Sequence, residues 1–403
     1  MDFHLSPNQR ELIDLARRLA VECFTPRASA LDNNAEFPVE DYQDLKASGL
    51  LGLCVPREYG GYGADFETYC LVAEQLAQGN AATALTFNMH CLAMLMMGPL
   101  MDGLDLPSDV VKRHRLLSAR RYNEVVENGV FYGQPHSEPI ESGIQDQLNV
   151  GGRRFGTTAN RVDNGYLING RKFFVSSAGA ADYYATPALL VEEGPWQNRT
   201  MYLSIKKDSP GVSFTGDWDP LGMRATVSRD MTLNDVRASF DDEMLPTGVF
   251  GQLYQRQPHI FITFSAVFLG LMQAAYEFTI SYLTGRIQEM SDIRDVTSGN
   301  GVALAEMLFT LESARALYYR AISEQRLDPS VECVQRARAA HVQIQRGAVQ
   351  LTGEAIRICG GRSMLKRHPL ERYYRDARSS AVMRPWTQDI ATQEAWEVAL
   401  KSR

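Results

Sequence analysis

Two short phrases in this chain of 403 residues carry groups suited to chemistry. Ser137-Glu138-Pro139 lies between β-rich runs, where a hydroxyl and neighbouring backbone amides can hydrogen-bond the edge of a flat heterocycle; the same residues also suit a simple turn. Gly360-Gly361 follows a helical run ending at Cys359, where two missing side chains let the backbone approach a phosphate or form a Schellman cap. Other chemistries lack their spacing. No Gly-x-Gly-x-x-Gly follows a strand and no Gly-x-x-x-x-Gly-Lys-Ser occurs, so neither a Rossmann site nor a P-loop is expected. The seven histidines contain no His-x-x-x-His or His-Glu-x-x-His, and the six cysteines no Cys-x-x-Cys, so no metal centre or redox dithiol is expected.

Composition narrows the class. The chain is 45% hydrophobic and 22% charged, enough apolar material for a large core, and its net charge of -7 with no long basic run argues against nucleic acid. Cys23, Cys54, Cys70, Cys91, Cys333 and Cys359 read as reduced, mostly buried thiols of a cytoplasmic enzyme. The opening MDFHLSPNQREL has no basic and apolar leader pattern. The apolar stretch Phe261 to Leu283 is broken by Thr263, Ser265, Gln273 and Glu277, which suits a helix buried in protein rather than a membrane span.

The elements that must position these residues fall in three blocks. Helical spacing runs from Ser6 to Leu19, with Ser6 as N-cap and Pro7 at the first helical position, and continues through Val39 to Ser48, Phe66 to Gln78 and Ala81 to Met101. The methionines Met89, Met94, Met96 and Met97 read as core packing. From Asn128 the texture becomes short β-rich runs bounded by turn residues, with Asp163-Asn164-Gly165 as a hairpin signal, and predicts an antiparallel barrel. Long amphipathic helices return at Pro258 to Arg286, Gly299 to Glu324, Pro329 to Cys359 and Asp389 to Lys401. The expected fold is mainly α with a middle β domain: an N-terminal helical domain over 1–127, a β-barrel over 128–249 and a C-terminal four-helix bundle over 250–403.

This order, together with PREYGGYGAD (Pro56 to Asp65), SEP (Ser137 to Pro139), GYLINGRKFFVSSAGAADYY (Gly165 to Tyr184), LGMRATVSRD (Leu221 to Asp230), FLGLMQAA (Phe268 to Ala275) and ICGGRSMLKRHPLERYYRDAR (Ile358 to Arg378), resembles the acyl-CoA dehydrogenase family. The resemblance spans nearly the whole chain. It implies an FAD enzyme that desaturates acyl thioesters, with FAD between barrel and bundle, its adenine end touching a neighbouring subunit of a homodimer or homotetramer, and an electron-transfer flavoprotein as acceptor. Carried over by motif, Ser137 matches the Thr of Thr-Glu-Pro that faces the flavin, and Phe174 and Ser176 match Trp-x-Thr, aromatic against the ring and hydroxyl near its N5 edge or phosphate. Gly360 and Gly361 match a pyrophosphate contact, Trp386 and Gln388 match the Thr and Gln of Glu-Gly-Thr-x-Gln, and Arg286 is the relic of an Arg that reaches the partner's FAD.

The departures bear on the reaction. The family's catalytic base is usually a Glu in the loop after Arg-Asp-Ala, and here Arg384 stands in its place; the alternative base position falls on Ile260. Arg384 stays protonated, so it can hold an anionic substrate, hold a flavin-bound oxygen species or form a salt bridge, but not take a proton. A substitute base is His259, in a helix first turn that favours neutral imidazole; the alternative reading is a surface or interface residue. Ile140-Glu141-Ser142-Gly143-Ile144 replaces the family's CoA-side phrase and GRIQEMSDIRD its Arg-x-x-Phe-Gly segment. Three functions follow: acyl-thioester dehydrogenase with an atypical base, flavin monooxygenase using oxygen, or silent subunit of a heteromeric dehydrogenase.

Overall fold

The computed structural model describes residues 5–138, 156–287 and 298–401. The Ile140 to Ile144 phrase and most of GRIQEMSDIRD lie outside them. Helix α1 (Pro7–Leu19) starts at a capping box in which Ser6 accepts from Gln9 N at 3.2 Å while the Gln9 side chain accepts from Ser6 N at 2.9 Å. It runs through a π-turn (Ala20–Phe24) into α2 (Thr25–Asn34), and α3 (Val39–Ala47), α4 (Phe66–Gly79), α5 (Ala81–Met97) and α6 (Ser108–Asn128) complete the helical first third. The four α5 methionines are core, as their spacing predicts.

Among the described residues eight strands follow: β1 (Tyr132–Gly133), β2 (Thr158–Val162), β3 (Gly165–Val175), β4 (Tyr183–Leu190), β5 (Thr200–Lys206), β6 (Val212–Thr215), β7 (Arg229–Ser239) and β8 (Glu243–Leu245). The hairpin signal holds, since β2 and β3 are antiparallel with Val162 opposite Gly165. The sheet, ordered β6-β7-β3-β2-β4-β5-β8, is mixed rather than wholly antiparallel. The connection over 176–182 carries the chain past β2, so β4 enters parallel to β2, and β1 pairs with β4 in the same sense. His90 on α5 joins this sheet to the helices: Nδ1 accepts from Tyr132 N at 3.1 Å and Nε2 donates to Leu51 O at 2.7 Å. That arrangement needs a neutral ring, and burial pushes its pKa down to about 4.

The last third comprises α7 (Val249–Arg256), a 3-10 turn (Pro258–Ile262) leading into α8 (Thr263–Leu283), then α9 (Ser298–Ser323), α10 (Val331–Cys359), α11 (Leu370–Ser379) and α12 (Gln388–Lys401). Helix α10 packs against α8, α9, α11 and α12, and α8 also packs against α4. The stretch Pro258–Leu283 is apolar and long enough to cross a membrane, yet 89% of its apolar window is buried within the protein.

Candidate functional site

Ser137 is held by its neighbours on both sides. Its carbonyl accepts from Phe173 N at 2.8 Å, pairing it with β3. Next to it, the Glu138 carboxylate accepts from the backbone of Gly156, from Thr157 N at 3.2 Å and from the fully buried Lys172 ammonium, which also donates to Pro187 O at 2.7 Å. A buried ammonium is tolerated only with such partners. Burial would raise the Glu138 carboxyl, but Lys172 and the backbone donors outweigh it and hold it below the usual carboxylate range.

One residue further along β3 the ladder with β7 loses register between Lys172 and Val175. This irregularity turns Phe174 out of the sheet: its backbone is left-handed, φ 51°, and its side chain is 69% exposed, with the Trp218 ring edge-on at 6.5 Å. A bulky residue in that backbone region costs about 1–2 kcal/mol, and an exposed aromatic ring does not repay it by burial. Two residues on, the Ser176 hydroxyl is 2.9 Å from that of Ser228, which is 2.7 Å from that of Thr226. The buried side-chain amide of Gln134, just before Ser137, has its Nε2 donor without a partner among the described residues. An exposed ring, an available hydroxyl at Ser137 and an orphaned buried donor fit the face and polar edge of a planar heterocycle.

The Leu221 to Asp230 phrase locks the sheet to both helical regions. A Cβ at Gly222 would lie 2.3 Å from Arg375 O, so only glycine lets this loop meet α11. Met223 N donates to Asp376, while Arg375 pairs with Glu371 and with Asp32 of α2, and Arg224 Nε donates to Asp32 O at 2.9 Å. Burial pushes the Asp376 carboxyl up to about 7, against the opposing pull of the Met223 amide.

The loop that carries Arg384 is anchored by its other members. Trp386 is 1% exposed; its indole N–H donates to Glu394 at 3.0 Å, and Arg338, itself paired with Glu394 at 2.9 Å, lies over its ring at 5.1 Å. His341 Nε2 donates to Trp386 O at 2.7 Å while Nδ1 accepts from Ser265 at 2.7 Å, and burial pushes this ring down to about 4, keeping it neutral. The Trp386 ring meets Phe261 edge-on at 5.2 Å, Phe261 meets Tyr254 at 5.3 Å, and the Tyr254 hydroxyl is 2.8 Å from Nδ1 of His136, the neighbour of Ser137. One aromatic chain thus links the Ser137 strip to the Trp386 loop. Arg384 and Gln388 are half-buried beside it.

Three expected contacts lie elsewhere. Gly360 and Gly361 end α10, and from His341 to Gly360 the helix advances 19 residues, or about 28 Å at 1.5 Å each. Gly360 has φ 77° and ψ -179°, a combination open to glycine alone, so it forms no Schellman cap. A Cβ at Gly361 would meet nothing within 4 Å, leaving room for a ligand there. Arg286 is exposed just after α8, at this same end of the bundle.

His259 departs most from its sequence reading. It does occupy a helix first turn, but it is fully buried rather than a surface residue, and neither ring nitrogen has a partner among the described residues. Burial, with help from Arg326 and Arg336 against Glu324, pushes it down to about 4. Helices α8 and α10 run parallel, with Ser265 against His341 and Met272 against Gly347, which sets His259 level with the first turn of α10. The ring is enclosed there, and no hydrogen-bond partner among the described residues orients it.

Sequence comparison supplies the family. The chain matches the acyl-CoA dehydrogenase N-terminal domain over residues 6–101, the middle domain over 152–236 and the C-terminal domain over 262–383. The chain belongs to the acyl-CoA dehydrogenase family. It is therefore a flavin-dependent oxidoreductase, and FAD is that family's standard cofactor. It is 28% identical over 94% of its length to the putative acyl-CoA dehydrogenase YdbM of Bacillus subtilis (strain 168), covering 93% of that protein. The amino sugar nitrososynthase DnmZ of Streptomyces peucetius is 25% identical over 98% of this chain and 94% of its own. Among solved structures, butyryl-CoA dehydrogenase from Megasphaera elsdenii superposes with a TM-score of 0.80 at 21% identity, over 99% of this chain and 100% of that one.

Several site residues escaped the sequence reading: Gln134, the Glu138–Lys172 pair and the Asp376 clamp. Lys172 carried a usable signal, because it falls in phase with Tyr166 and Ile168 on the inward face of β3, where a charge needs a partner.

Proposed function

We propose that this chain is a flavin oxidoreductase whose reduced cofactor is turned over by oxygen, rather than one that desaturates a thioester by removing an α-proton. One observation carries the reading: neither family base position offers a proton acceptor, since Arg384 is a cation and Ile260 a hydrocarbon, and the neighbouring His259 is sealed in the bundle with a pKa near 4. The nitrososynthase relative supports it, because a nitroso group is an amine nitrogen that has acquired oxygen.

In this reading Phe174 covers the flavin ring, and Ser137 and the Gln134 amide hydrogen-bond its polar edge, with Ser176 beneath. Reduced flavin supplies the electrons that let oxygen attack a substrate. Arg384 provides a fixed positive charge at the reaction centre that steadies an anionic substrate or the charge developing on oxygen, and the buried Trp386 keeps that charge in place. Gly360, Gly361 and Arg286, a helix length away, serve the phosphate end of a neighbouring subunit's FAD in a homodimer or homotetramer.

Desaturation of an acyl-CoA, with an electron-transfer flavoprotein as acceptor, is the second reading, favoured by the whole-length likeness to YdbM. The test is an anaerobic titration of the flavin-loaded protein with short-, medium- and long-chain acyl-CoAs, followed by chemical reduction and mixing with oxygenated buffer. No bleaching by any thioester, with rapid reoxidation by oxygen, is expected. Bleaching by any acyl-CoA overturns the oxygen reading. A protein that retains no flavin at all points to the silent-subunit role.

A further inference from the structure

The segment that carries Arg384 leaves the end of α11 at Ser380, whose hydroxyl donates to Ala377 O at 2.7 Å, and is anchored again at Trp386. Both ends meet Gln345, which lies one turn after His341 on α10 and is 1% exposed. Its side-chain nitrogen donates to Ser380 O at 2.8 Å and to Trp386 O at 3.1 Å. An amide nitrogen carries two hydrogens, so one group serves the carbonyl at each end of the segment. Six residues of extended chain span about 20 Å, yet here the first and last carbonyls share a single donor atom. Residues 381–385, Arg384 among them, therefore form an excursion closed at its base by Gln345.

His341 secures the Trp386 end a second time. Its Nε2, 3.0 Å from the Gln345 nitrogen, donates to Trp386 O at 2.7 Å, so this carbonyl accepts twice and uses both lone pairs. Ser265 of α8 fixes the tautomer by donating to His341 Nδ1 at 2.7 Å. The Gln345 oxygen behaves differently from its nitrogen. Oε1 is buried and has no hydrogen-bond partner among the described residues. An unpaired buried acceptor is costly, so the position is fitted to the two donors of this amide rather than to the amide as a whole.

We infer that Gln345 is a positioning residue: by tying Ser380 O to Trp386 O, it sets where the Arg384 guanidinium stands relative to the flavin. The inference rests on the reading above, in which Arg384 supplies the positive charge at the reaction centre. In Gln345→Met the Trp386 end stays tied through its indole and through His341, whereas Ser380 O loses this donor and the base of the excursion can open.

The test uses the flavin-loaded full chain and inorganic sulfite, an anion that adds to oxidised flavin, bleaches its visible band and binds more tightly where a cation stands nearby. Arg384→Gln is expected to weaken sulfite binding about tenfold, and Gln345→Met severalfold. Arg384→Gln/Gln345→Met should bind sulfite as Arg384→Gln does, because the amide acts through the charge. Hydrogen-deuterium exchange over residues 380–386 should rise in Gln345→Met while α12 keeps the parent's protection. Gln345→Asn sets the donor back by one methylene and should reproduce this pattern even if the methionine variant does not fold. Unaltered sulfite affinity in the Gln345 variants, or a double variant whose loss is the product of the two single losses, overturns the positioning role. Exchange that stays at the parent level overturns the clamp itself. Unaltered affinity in Arg384→Gln overturns instead the reading of Arg384 on which the role rests, and exchange, which does not involve the flavin, still decides whether Gln345 fastens the segment.

Discussion

Replacing Lys172 by methionine removes the ammonium that fastens the Ser137 strip to the sheet, and the size of the effect follows from its surroundings. The Lys172 side chain is 0% and the Glu138 side chain 11% exposed, so Lys172→Met leaves a carboxylate in a nearly dry site and also strips Pro187 O of its donor. Breaking one side of a buried pair costs about 3–5 kcal/mol, which lowers the melting temperature by roughly 4–6 °C in a chain of this size. Lys172→Met/Glu138→Gln removes the stranded charge as well and should regain most of that loss. The pH response gives a separate check. Glu138 is held below its ordinary range, so its contribution is present at neutral pH and lost as pH falls below about 4.3 through the folded value. In Lys172→Met burial acts unopposed by the cation, the carboxyl rises, and stability should improve on mild acidification instead. Thermal unfolding of the flavin-free protein at two pH values, with flavin affinity by fluorescence quenching, measures both. A single variant that melts within a degree or so of the parent and binds flavin equally well would refute the argument that this pair positions Ser137.

Three further outcomes follow. His259→Leu should stabilise the protein, and because the folded ring titrates near 4 against about 6.5 unfolded, the parent loses stability as pH falls from 6.5 toward 4; the variant's advantage in urea should widen by about 2 kcal/mol between pH 7 and pH 5. Phe174→Gly relieves a left-handed backbone and should raise stability by about 1 kcal/mol while weakening flavin binding, as calorimetry of the two forms will report. Gly222→Ala pushes a methyl against Arg375 O and should cost about 1–3 kcal/mol by chemical denaturation, with Asp376 and its contact to Met223 disturbed.

The three-block order and the long helices were legible because hydrophobic period and cap chemistry are local: Ser6, Pro7 and the Asp163-Asn164-Gly165 turn signal their roles within a few residues. Short helices such as α7 and α11 were not, since their few apolar residues are claimed by tertiary packing rather than by a long stripe. The mixed sheet escaped because strand direction depends on how the 176–182 connection crosses, which no local pattern encodes. Site chemistry divided similarly. Ser137 and Phe174 stood out as phrases, yet the pair that anchors the strip beside Ser137, Glu138 with Lys172, joins residues 34 apart in sequence. His259 could be placed in a first turn from Pro258, but its full burial, in the field of Glu324, Arg326 and Arg336, involves residues far away in sequence.

Trp386 has a consequence for how such a protein changes its chemistry. The loop's attachment rests on the indole, its carbonyl and the Arg338, His341 and Glu394 side chains behind them, while residue 384 lies two positions outside that anchor. The backbone that presents residue 384 is thus held by Trp386 and its partners, whatever charge the side chain at 384 carries. If the proposed function holds, a single codon at 384 is a point where one inherited scaffold moves between proton abstraction and charge stabilisation, and Arg384→Glu is the shortest experimental route along that path.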